Sequence, residues 1–408
     1  MCDKKPVRIA HINMSVNGST GTIMLQIAQK ARETGYTVST YSTHVFSKRY
    51  IKNPPKPVGH SYYGSYLENA VHYAFGSRLA KNGRFGFFST LRLINKIKKE
   101  KIEILHLHNL HNYCINLPLL FSFIKKHDIK VVWTLHDCWS FTGHCAHFDY
   151  AGCDKWKTGC FDCQYFNEYP FSKKDGSKKE YALKKDCFTG VKNLTIVTPS
   201  EWLLGLVKQS FLGSYPVKVI NNGIDLSTFK PMESDFRKIY GLEDKFVLLG
   251  VAFDWGLKKG LDVFKKLAEK LNGDYQIVLV GVTETVKSQL PENIIAINKT
   301  QNQEELAKIY SSSDLFVNPT REDTFPTVNI EALACGTPVL TFNTGGSPEI
   351  LDEKCGAVVN RDDFDALIKE IERIKQAKPF SKEDCLNRAK NFNKEDKFIE
   401  YVKLYGEI

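Results

Sequence analysis

The chain has 408 residues, of which 42% are hydrophobic and 12% are aromatic, a composition that suits an ordinary globular protein of two domains. No run of about 18 apolar residues occurs, so no transmembrane helix is expected. The net charge of +10 is uneven, because residues 1–225 hold 31 Lys and Arg against 16 Asp and Glu, whereas residues 226–408 hold 25 against 30. Such a basic half suits phosphate, nucleic acid or an anionic membrane, but nucleic-acid motifs are absent from the sequence.

The first elements predict a Rossmann-like start. The N-terminus runs into a predicted buried strand at residues 7–13 and is too short and polar for a signal peptide, so a cytoplasmic location is expected. A glycine loop with Gly18 and Gly21 then opens an amphipathic helix that ends at Gly35. These glycines do not form the three-glycine dinucleotide pattern, and no acid ends the second strand to hold an NAD ribose.

Two later strands of the first half end in histidines. IEILHLHNL leads into a loop with His106, His108 and His111, and IKVVWTLHDCW ends at His136 and Asp137. Ligands of parallel α/β sheets bind at the carboxyl ends of the strands. We therefore expect both sets of histidines to face a crevice.

A cysteine-rich segment, residues 138–187, follows the second of these strands. Five of the 11 cysteines fall within 26 residues there, and two of them form a C-x-x-C pair. Four thiolates can hold one Zn²⁺ tetrahedrally, and the candidates are Cys145, Cys153, Cys160 and Cys163. Free thiols and disulfides remain as alternatives, although disulfides do not persist in a reducing cytoplasm.

The second half alternates strands and helices and is most informative at residues 318–350, NPTREDTFPTVNIEALACGTPVLTFNTGGSPEI. The pattern predicts strand, polar loop, helix, strand and glycine loop, as in a parallel α/β half-domain. Both loops should face one crevice, where Asp323 and Glu331 can hold sugar hydroxyls from two sides. The acidic run at 362–365 is interpreted as a helix cap, so no catalytic metal is expected.

Residues 318–350 resemble the signature of the retaining GT-B glycosyltransferases of family 4 (glycosyl transferases group 1), of the bacterial polysaccharide-biosynthesis type. In that signature two acids with seven residues between them precede EA-x-A-x-G-x-PV. Glu331 in EALACGTPV matches the second acid, and Asp323 stands where the family usually has Glu. The resemblance implies an α/β fold of GT-B architecture, with two Rossmann-like domains, a donor cleft between them and a C-terminal helix that crosses back.

The resemblance also implies domain boundaries. Residues 1–225 would form the acceptor-side domain, including the cysteine-rich insertion at 138–187. Residues 226–385 would bind the nucleotide sugar, and residues 386–408 would form the helix that packs back on the first domain.

Site residues follow from the same resemblance. Lys259 in GVAFDWGLKKGLD matches the family lysine, while the usual arginine position holds an apolar residue near Ala252 or Phe253. Lys258 would supply the second positive charge for the diphosphate. Catalytic roles are implied for His136 and Asp323, and an acceptor contact for His111. The expected donor-binding residues are Gly18, Gly21, Lys258, Lys259, Asp323, Phe325, Thr327, Glu331, Gly345 and Gly346.

The implied activity is transfer of a sugar from a UDP- or GDP-linked donor, with retention, to a lipid-linked or saccharide acceptor in capsule, exopolysaccharide or lipopolysaccharide assembly. The aromatic and basic segment 46–99 is the expected contact with the inner leaflet of the membrane. One alternative is a zinc-stabilised sugar-nucleotide-binding protein without activity. The other is a nucleotide-sugar epimerase on the same fold, which would need no acceptor.

Overall fold

The computed structural model describes residues 6–43 and 57–408, so residues 46–56 of the expected membrane segment lie outside the described residues. The chain divides into two compact units. The first unit comprises residues up to Ile220 together with Phe398–Ile408, and the second comprises Asn221–Lys397. The sequence placed these divisions after residues 225 and 385.

The first unit is built on a parallel sheet. Its strands are β1 (Arg8–Ile12), β2 (Thr37–Ser42), β3 (His60–Tyr62), β4 (Ile104–Leu107), β5 (Lys130–Thr134), β6 (Leu194–Thr198) and β7 (Val217–Val219). Its helices are α1 (Gly18–Glu33), α2 (Tyr66–Leu79), α3 (Phe87–Lys99), α4 (Leu117–His127), α5 (Ser177–Phe188) and α6 (Glu201–Gln209). The strand order is β3-β2-β1-β4-β5-β6-β7, which places the ends of β1, β4 and β5 side by side.

A second parallel sheet forms the second unit. Its strands are β8 (Phe246–Val251), β9 (Tyr275–Val280), β10 (Ile294–Ile297), β11 (Leu315–Asn318), β12 (Val339–Phe342) and β13 (Gly356–Val359). The helices are α7 (Phe236–Tyr240), α8 (Leu261–Lys270), α9 (Glu284–Lys287), α10 (Gln303–Ser311), α11 (Thr327–Ala334), α12 (Phe364–Ala377), α13 (Lys382–Lys390) and α14 (Lys394–Glu407). The order β10-β9-β8-β11-β12-β13 places β8, β11 and β12 next to one another.

Apolar side chains are buried on both faces of each sheet. For this reason the sequences of its strands are nearly continuous apolar runs. In β5, Val131 and Trp133 belong to one apolar cluster and Val132 to the other, because successive side chains alternate between the faces. In β8, Leu248 lies on the opposite face from Val247 and Leu249.

The last helix, α14, ends in the first unit. Phe398, Tyr401 and Tyr405 are at most 3% exposed and belong to the same apolar cluster as Ile23 and Ile27 of α1. Their spacing of three and four residues places them on one helical face. The expectation that the C-terminal helix packs on the first domain thus holds for its part from Phe398 onward.

Local capping agrees with the sequence. The Ser200 hydroxyl accepts the Leu203 N–H at 3.3 Å at the start of α6, and Asp363 caps α12 by accepting the Ala366 N–H at 3.0 Å. Helix α2 was not predicted, because its buried face carries Asn69, His72 and Ser77, so apolar residues do not mark the side that packs inward. Among the described helices, none has the length and apolarity needed to span a bilayer.

Candidate active site

Three loops of the second unit meet where β8, β11 and β12 end. A Cβ atom on Gly260 would lie 2.5 Å from the carbonyl oxygen of Pro319, and one on Gly345 would lie 1.7 Å from that of Asp323. Both glycines also have positive φ, at 73° and 56°. Only glycine permits this approach. The KKG loop (residues 258–260), the Asp323 loop and the TGGS loop (residues 344–347) therefore converge. The sequence predicted this for the last two.

The lysines expected to bind phosphate are paired with acids at this convergence. Lys259 Nζ lies 2.8 Å from Asp323 Oδ2, and Lys258 Nζ lies 2.8 Å from Glu322 Oε2. Both lysine side chains remain about two-fifths exposed, at 37% and 41%. A diphosphate arriving here would compete with the carboxylates for the two ammonium groups.

Arg321, which sequence reasoning missed, holds the loop that carries these lysines by donating to the carbonyl oxygens of Leu257 and Lys258. Its buried guanidinium donates to both carboxylate oxygens of Asp262, at 2.7 and 2.9 Å, and to Asp362 at 2.6 Å. These hydrogen bonds, led by those to Asp262, raise the pKa of Arg321. Asp262 and Asp362 lie 59 and 41 residues from Arg321 along the chain, so no local sequence motif predicts these contacts.

Glu331 lies in α11 and is partly exposed. Burial raises the pKa of its carboxyl to about 7, although the Tyr310 hydroxyl donates to Oε2 at 3.2 Å and acts in the opposite direction. Near neutral pH the group therefore exchanges between acid and carboxylate. Either form can hydrogen-bond to a pair of ribose hydroxyls.

Phe325 and Thr327 sit between the two acids. Phe325 is 3% exposed and packs against Phe392 with ring centroids 5.8 Å apart, so its side chain belongs to the core. Its N–H group donates to Asp323 Oδ1 at 3.2 Å, which fixes the direction of that carboxylate. Thr327 is the first residue of α11 and is partly exposed.

The glycine loop offers hydroxyls that the sequence interpretation overlooked. Thr344 Oγ1 and Ser347 Oγ are buried and have no hydrogen-bond partner among the described residues. They flank Gly345 and Gly346, which the sequence had already assigned to the donor. An unpaired buried hydroxyl costs roughly 1–3 kcal/mol, so these two groups are poised to bind an anion such as phosphate.

The histidines of the first unit form a hydrogen-bonded chain. Tyr405 Oη lies 3.3 Å from His11 Nε2, His11 Nδ1 lies 3.1 Å from His108 Nε2, and His108 Nδ1 lies 3.0 Å from His136 Nε2. His106, which lies within β4, branches from this chain through Tyr405 at 2.6 Å. The expectation that His106, His108 and His111 face a crevice is wrong, because all three are at most 1% exposed.

The nitrogen atoms of His11, His106 and His108 that could bind a metal lie within 4.8 Å of one another. All six ring nitrogens are already hydrogen-bonded, the last of them His106 Nε2 to Thr134 Oγ1 at 2.8 Å. Burial lowers the pKa of His11 to about 3 and that of His136 to about 4. We therefore interpret the group as a chain of neutral imidazoles rather than a metal site.

His136 is the partly exposed end of this chain, directly after β5. The next residue, Asp137, is 8% exposed and accepts hydrogen bonds from His111 Nε2 at 2.8 Å and Asn109 Nδ2 at 3.2 Å. Burial acts to raise the pKa of Asp137, but the interaction with His111 outweighs it and lowers the pKa to about 2. Asp137 is thus a carboxylate at neutral pH.

His111 is 1% exposed, and its Nδ1 atom lies 3.1 Å from the Tyr169 hydroxyl. Both ring nitrogens are therefore engaged within the protein. An acceptor contact by His111 would be indirect, through Tyr169 or Asp137. The four predicted zinc ligands have free thiols and lie in the same unit, in the loop that carries Tyr169.

Gly18 and Gly21 shape the loop between β1 and α1. A Cβ atom on Gly21 would lie 2.4 Å from the Val16 carbonyl carbon, and Gly18 has φ of +78°. Asn13 at the end of β1 accepts the Asn109 N–H at 3.1 Å, which ties this loop to the histidine loop after β4. The glycine loop and the histidines therefore share one end of the first sheet.

Two parallel-sheet units with glycine loops and paired charges at their strand ends define the GT-B class of transferases. Comparison with known families agrees. Residues 20–228 match Glycosyltransferase Family 4, and residues 234–395 match Glycosyl transferases group 1. The chain belongs to glycosyltransferase family 4.

Individual proteins resemble the chain over nearly its whole length. A protein named as the colanic acid biosynthesis glycosyl transferase WcaC of Escherichia coli K12 is 27% identical over 372 residues, or 88% of each chain. Sucrose-phosphate synthase from Thermosynechococcus elongatus has a TM-score of 0.71 at 17% identity and covers 98% of both chains. Anabaena Alr3699/HepE, solved in complex with UDP, has a TM-score of 0.68 at 14% identity and covers 99% of this chain and 100% of that one.

Proposed function

We propose that the protein is a retaining hexosyltransferase that uses a UDP- or GDP-linked sugar as donor. The observation that carries the proposal is the convergence of Lys258, Lys259, Asp323 and the TGGS loop where three neighbouring strands end. The structure of Alr3699/HepE with UDP supports a uridine donor as the first to test.

The second unit would bind the donor in three parts. Glu331 would hold the ribose hydroxyls, and Asp323 those of the sugar. The lysine pair, with the hydroxyls of Thr344 and Ser347, would bind the diphosphate. Because negative charge grows on the diphosphate as the glycosidic phosphate bond breaks, fixed cations stabilise the transition state more than the ground state. Lysine acts here as a point charge.

His136 would act on the transferred sugar as a neutral imidazole, the state that its lowered pKa ensures at neutral pH. The bond from the anomeric carbon to the phosphate oxygen breaks, and a bond to the acceptor oxygen forms on the same face. The acceptor proton passes to the leaving phosphate, so no protein base is needed, and attack by the acceptor itself on that face needs no protein nucleophile. His136 would orient the sugar and stabilise positive charge at the anomeric carbon, and the proposal includes no catalytic metal.

The acceptor would be a saccharide or a lipid-linked saccharide of capsule, exopolysaccharide or lipopolysaccharide assembly, reached at the cytoplasmic side of the inner membrane. The similarity to WcaC, which is named as a colanic acid biosynthesis glycosyl transferase, supports this class. Of the rings expected at the membrane, Phe87 and Phe88 are 50% and 69% exposed, whereas Tyr63 is 2% exposed and belongs to the core.

The proposed membrane-binding surface consists of Phe87, Phe88, the exposed face of α2 and the lysines of α3. Helix α2 exposes apolar side chains at intervals of four residues, namely Leu67, Val71, Phe75 and Leu79. Lys98 and Lys99 at the end of α3 are also exposed. Apolar side chains suit the headgroup layer, and lysines suit lipid phosphates.

Donor binding and turnover test the proposal. A ligand at 100 times its Kd stabilises a protein by about 2.7 kcal/mol, so a thermal-shift panel of UDP, GDP and their sugars should show one clear responder. That donor, incubated with a crude lipid-linked acceptor fraction, should give a glycosylated product and free nucleoside diphosphate. Glu331→Ala should abolish turnover and weaken the thermal shift, while Glu353→Ala at an exposed acid serves as control. Binding without turnover would favour the inactive binding protein, and epimerised donor without an acceptor would favour the epimerase.

A further inference from the structure

The segment between β5 and α5, residues 138–176, has little regular structure. It contains two short 3₁₀ helices, Trp139–Phe141 and Lys155–Lys157, and no strand. Loops longer than about 12–15 residues without their own secondary structure are uncommon in compact domains. An aromatic cluster packs one part of the segment, with the Trp156 ring 5.3 Å from Phe141 and 4.9 Å from Phe148.

Four half-buried cysteines line one cleft of about 310 Å³ in this segment, namely Cys145, Cys153, Cys160 and Cys163. The sulfur atoms of Cys145 and Cys163 lie 3.8 Å apart, and all four thiols are free. Tetrahedral zinc with Zn–S bonds of about 2.3 Å separates its sulfur ligands by about 3.8 Å. A disulfide would bring them to about 2.05 Å, so this pair has the spacing of ligands that share a metal.

Two groups beside these sulfurs can stabilise negative charge on metal-bound thiolates. Gly143 donates its N–H to Cys160 Sγ at 3.0 Å, and a Cβ atom on Gly143 would lie 2.5 Å from Cys160 Cβ. The Lys184 side chain is 1% exposed and interacts electrostatically with both Cys160 and Cys145. Four thiolates around Zn²⁺ carry a net charge of −2, of which a buried ammonium group offsets one unit.

We propose that Cys145, Cys153, Cys160 and Cys163 bind one structural Zn²⁺. Among the described residues, no third thiol lies within 4.8 Å of both Cys145 and Cys163, so binding draws Cys153 and Cys160 inward. The bound ion would then join four positions of the segment that lie up to 18 residues apart along the chain.

Zinc also has a consequence for the active site, which rests on the proposed transferase function. The segment begins beside Asp137, whose Oδ1 accepts the Trp139 N–H at 2.9 Å, and later presents Tyr169 to His111 at 3.1 Å. Both ends of the segment thus contact the hydrogen-bonded pair of Asp137 and His111, and Asp137 directly follows His136. We expect zinc to fix the part of the first unit that contacts the acceptor and to leave donor binding unchanged.

Metal analysis of the full-length protein, purified with reductant and without chelator, is the first test. We expect about one zinc per chain, and we expect Cys145→Ser, Cys160→Ser and Cys163→Ser each to lose it. Cys138→Ala, in the same segment, and Cys187→Ala, in α5, serve as matched controls and should keep it. Zinc-free wild type whose melting temperature does not rise on adding zinc would overturn the proposal, as would cluster variants that retain zinc.

A second measurement covers the case in which the serine variants fail to fold. Native wild-type protein is titrated with a thiol reagent before and after a zinc chelator, and four additional cysteines should become reactive. Cobalt(II) in place of zinc should give the intense near-ultraviolet charge-transfer absorption of thiolate coordination. Unchanged thiol reactivity and no such absorption would overturn the proposal.

Kinetics separate this proposal from the transferase proposal. Chelated protein should show an acceptor KM raised about fivefold, as for the loss of one hydrogen bond, with an unchanged donor thermal shift. Tyr169→Phe should reproduce the KM change while it keeps its zinc. An absence of turnover would reject the transferase function, whereas metal content and thiol reactivity would still decide the zinc site.

Discussion

The Nδ1 atom of His108 lies 3.0 Å from the Nε2 atom of His136, and this contact links the partly exposed histidine to the protein interior. From His108 the chain of hydrogen bonds continues through His11 to Tyr405 in α14. A neutral imidazole has one donor and one acceptor nitrogen. Reversing the hydrogen bond at Tyr405 therefore reverses every bond along the chain and changes which nitrogen of His136 carries the proton.

Removal of the Tyr405 hydroxyl tests this coupling. Tyr405→Phe leaves His11 Nε2 and His106 Nδ1 without their partner, and a buried unpaired nitrogen costs roughly 1–3 kcal/mol. We expect kcat to fall about tenfold, an unchanged donor KM and a shifted pH profile. Nitrogen NMR of His136 should report an altered tautomer. Tyr36→Phe, whose ring contacts Tyr405, is the control, and equal effects of the two variants would reject the coupling.

His136→Ala should lower turnover far more than donor affinity, because the proposed role of the residue is at the reacting carbon. A loss of about 10²-fold or more in kcat is expected for a group that stabilises transition-state charge. His127→Ala, at an exposed histidine at the end of α4, is the control. Steady-state kinetics with the responding donor measure both constants. Wild-type turnover in His136→Ala would move the role to another residue.

Sequence patterns predicted those parts of the site that depend on local spacing. The acid pair and the TGGS loop could be found because Asp323, Glu331 and Gly345 belong to one strand-loop-helix unit. Contacts between distant segments could not be found. Arg321 reaches Asp262 across 59 residues, and His106 meets Tyr405 across 299. The histidines were expected to be exposed because a strand-end pattern does not reveal which face another helix will cover.

Glu331→Gln should weaken donor binding about tenfold or more, since a hydrogen bond to a charged group contributes roughly 1.5–3 kcal/mol. It should also change the pH dependence of stability. Burial raises the pKa of the folded carboxyl to about 7, above the value of about 4.3 in unfolded chains. Wild-type stability therefore falls as pH rises between these values, and the variant lacks this loss. Melting temperatures at pH 5 and 8 check the sign, and parallel curves for both proteins would reject it.

Lys259→Ala should weaken binding of UDP or GDP much more than binding of the corresponding nucleoside. The ammonium group is expected to bind only the diphosphate, so the affinity for UDP should fall about tenfold. Asp323 also loses its 2.8 Å partner in this variant, and its carboxylate would then repel phosphate more strongly. Calorimetric titration measures both ligands, with Lys270→Ala at the exposed end of α8 as control. Equal losses for nucleotide and nucleoside would indicate a folding defect instead.

The membrane surface is tested by sedimentation with vesicles. Each Lys or Arg near an anionic surface contributes about 1 kcal/mol, and the attraction fades within a Debye length of about 10 Å at 0.1 M salt. The protein should bind anionic vesicles at low salt, dissociate from them at about 0.5 M salt and not bind neutral ones.

Changing Lys98 and Lys99 to Glu, or Phe87 and Phe88 to Ser, should weaken vesicle binding while the donor thermal shift stays unchanged. Lys270→Glu in the second unit should bind vesicles as wild type does. Wild-type protein that stays in the supernatant at low salt would favour an acceptor that is not membrane-bound.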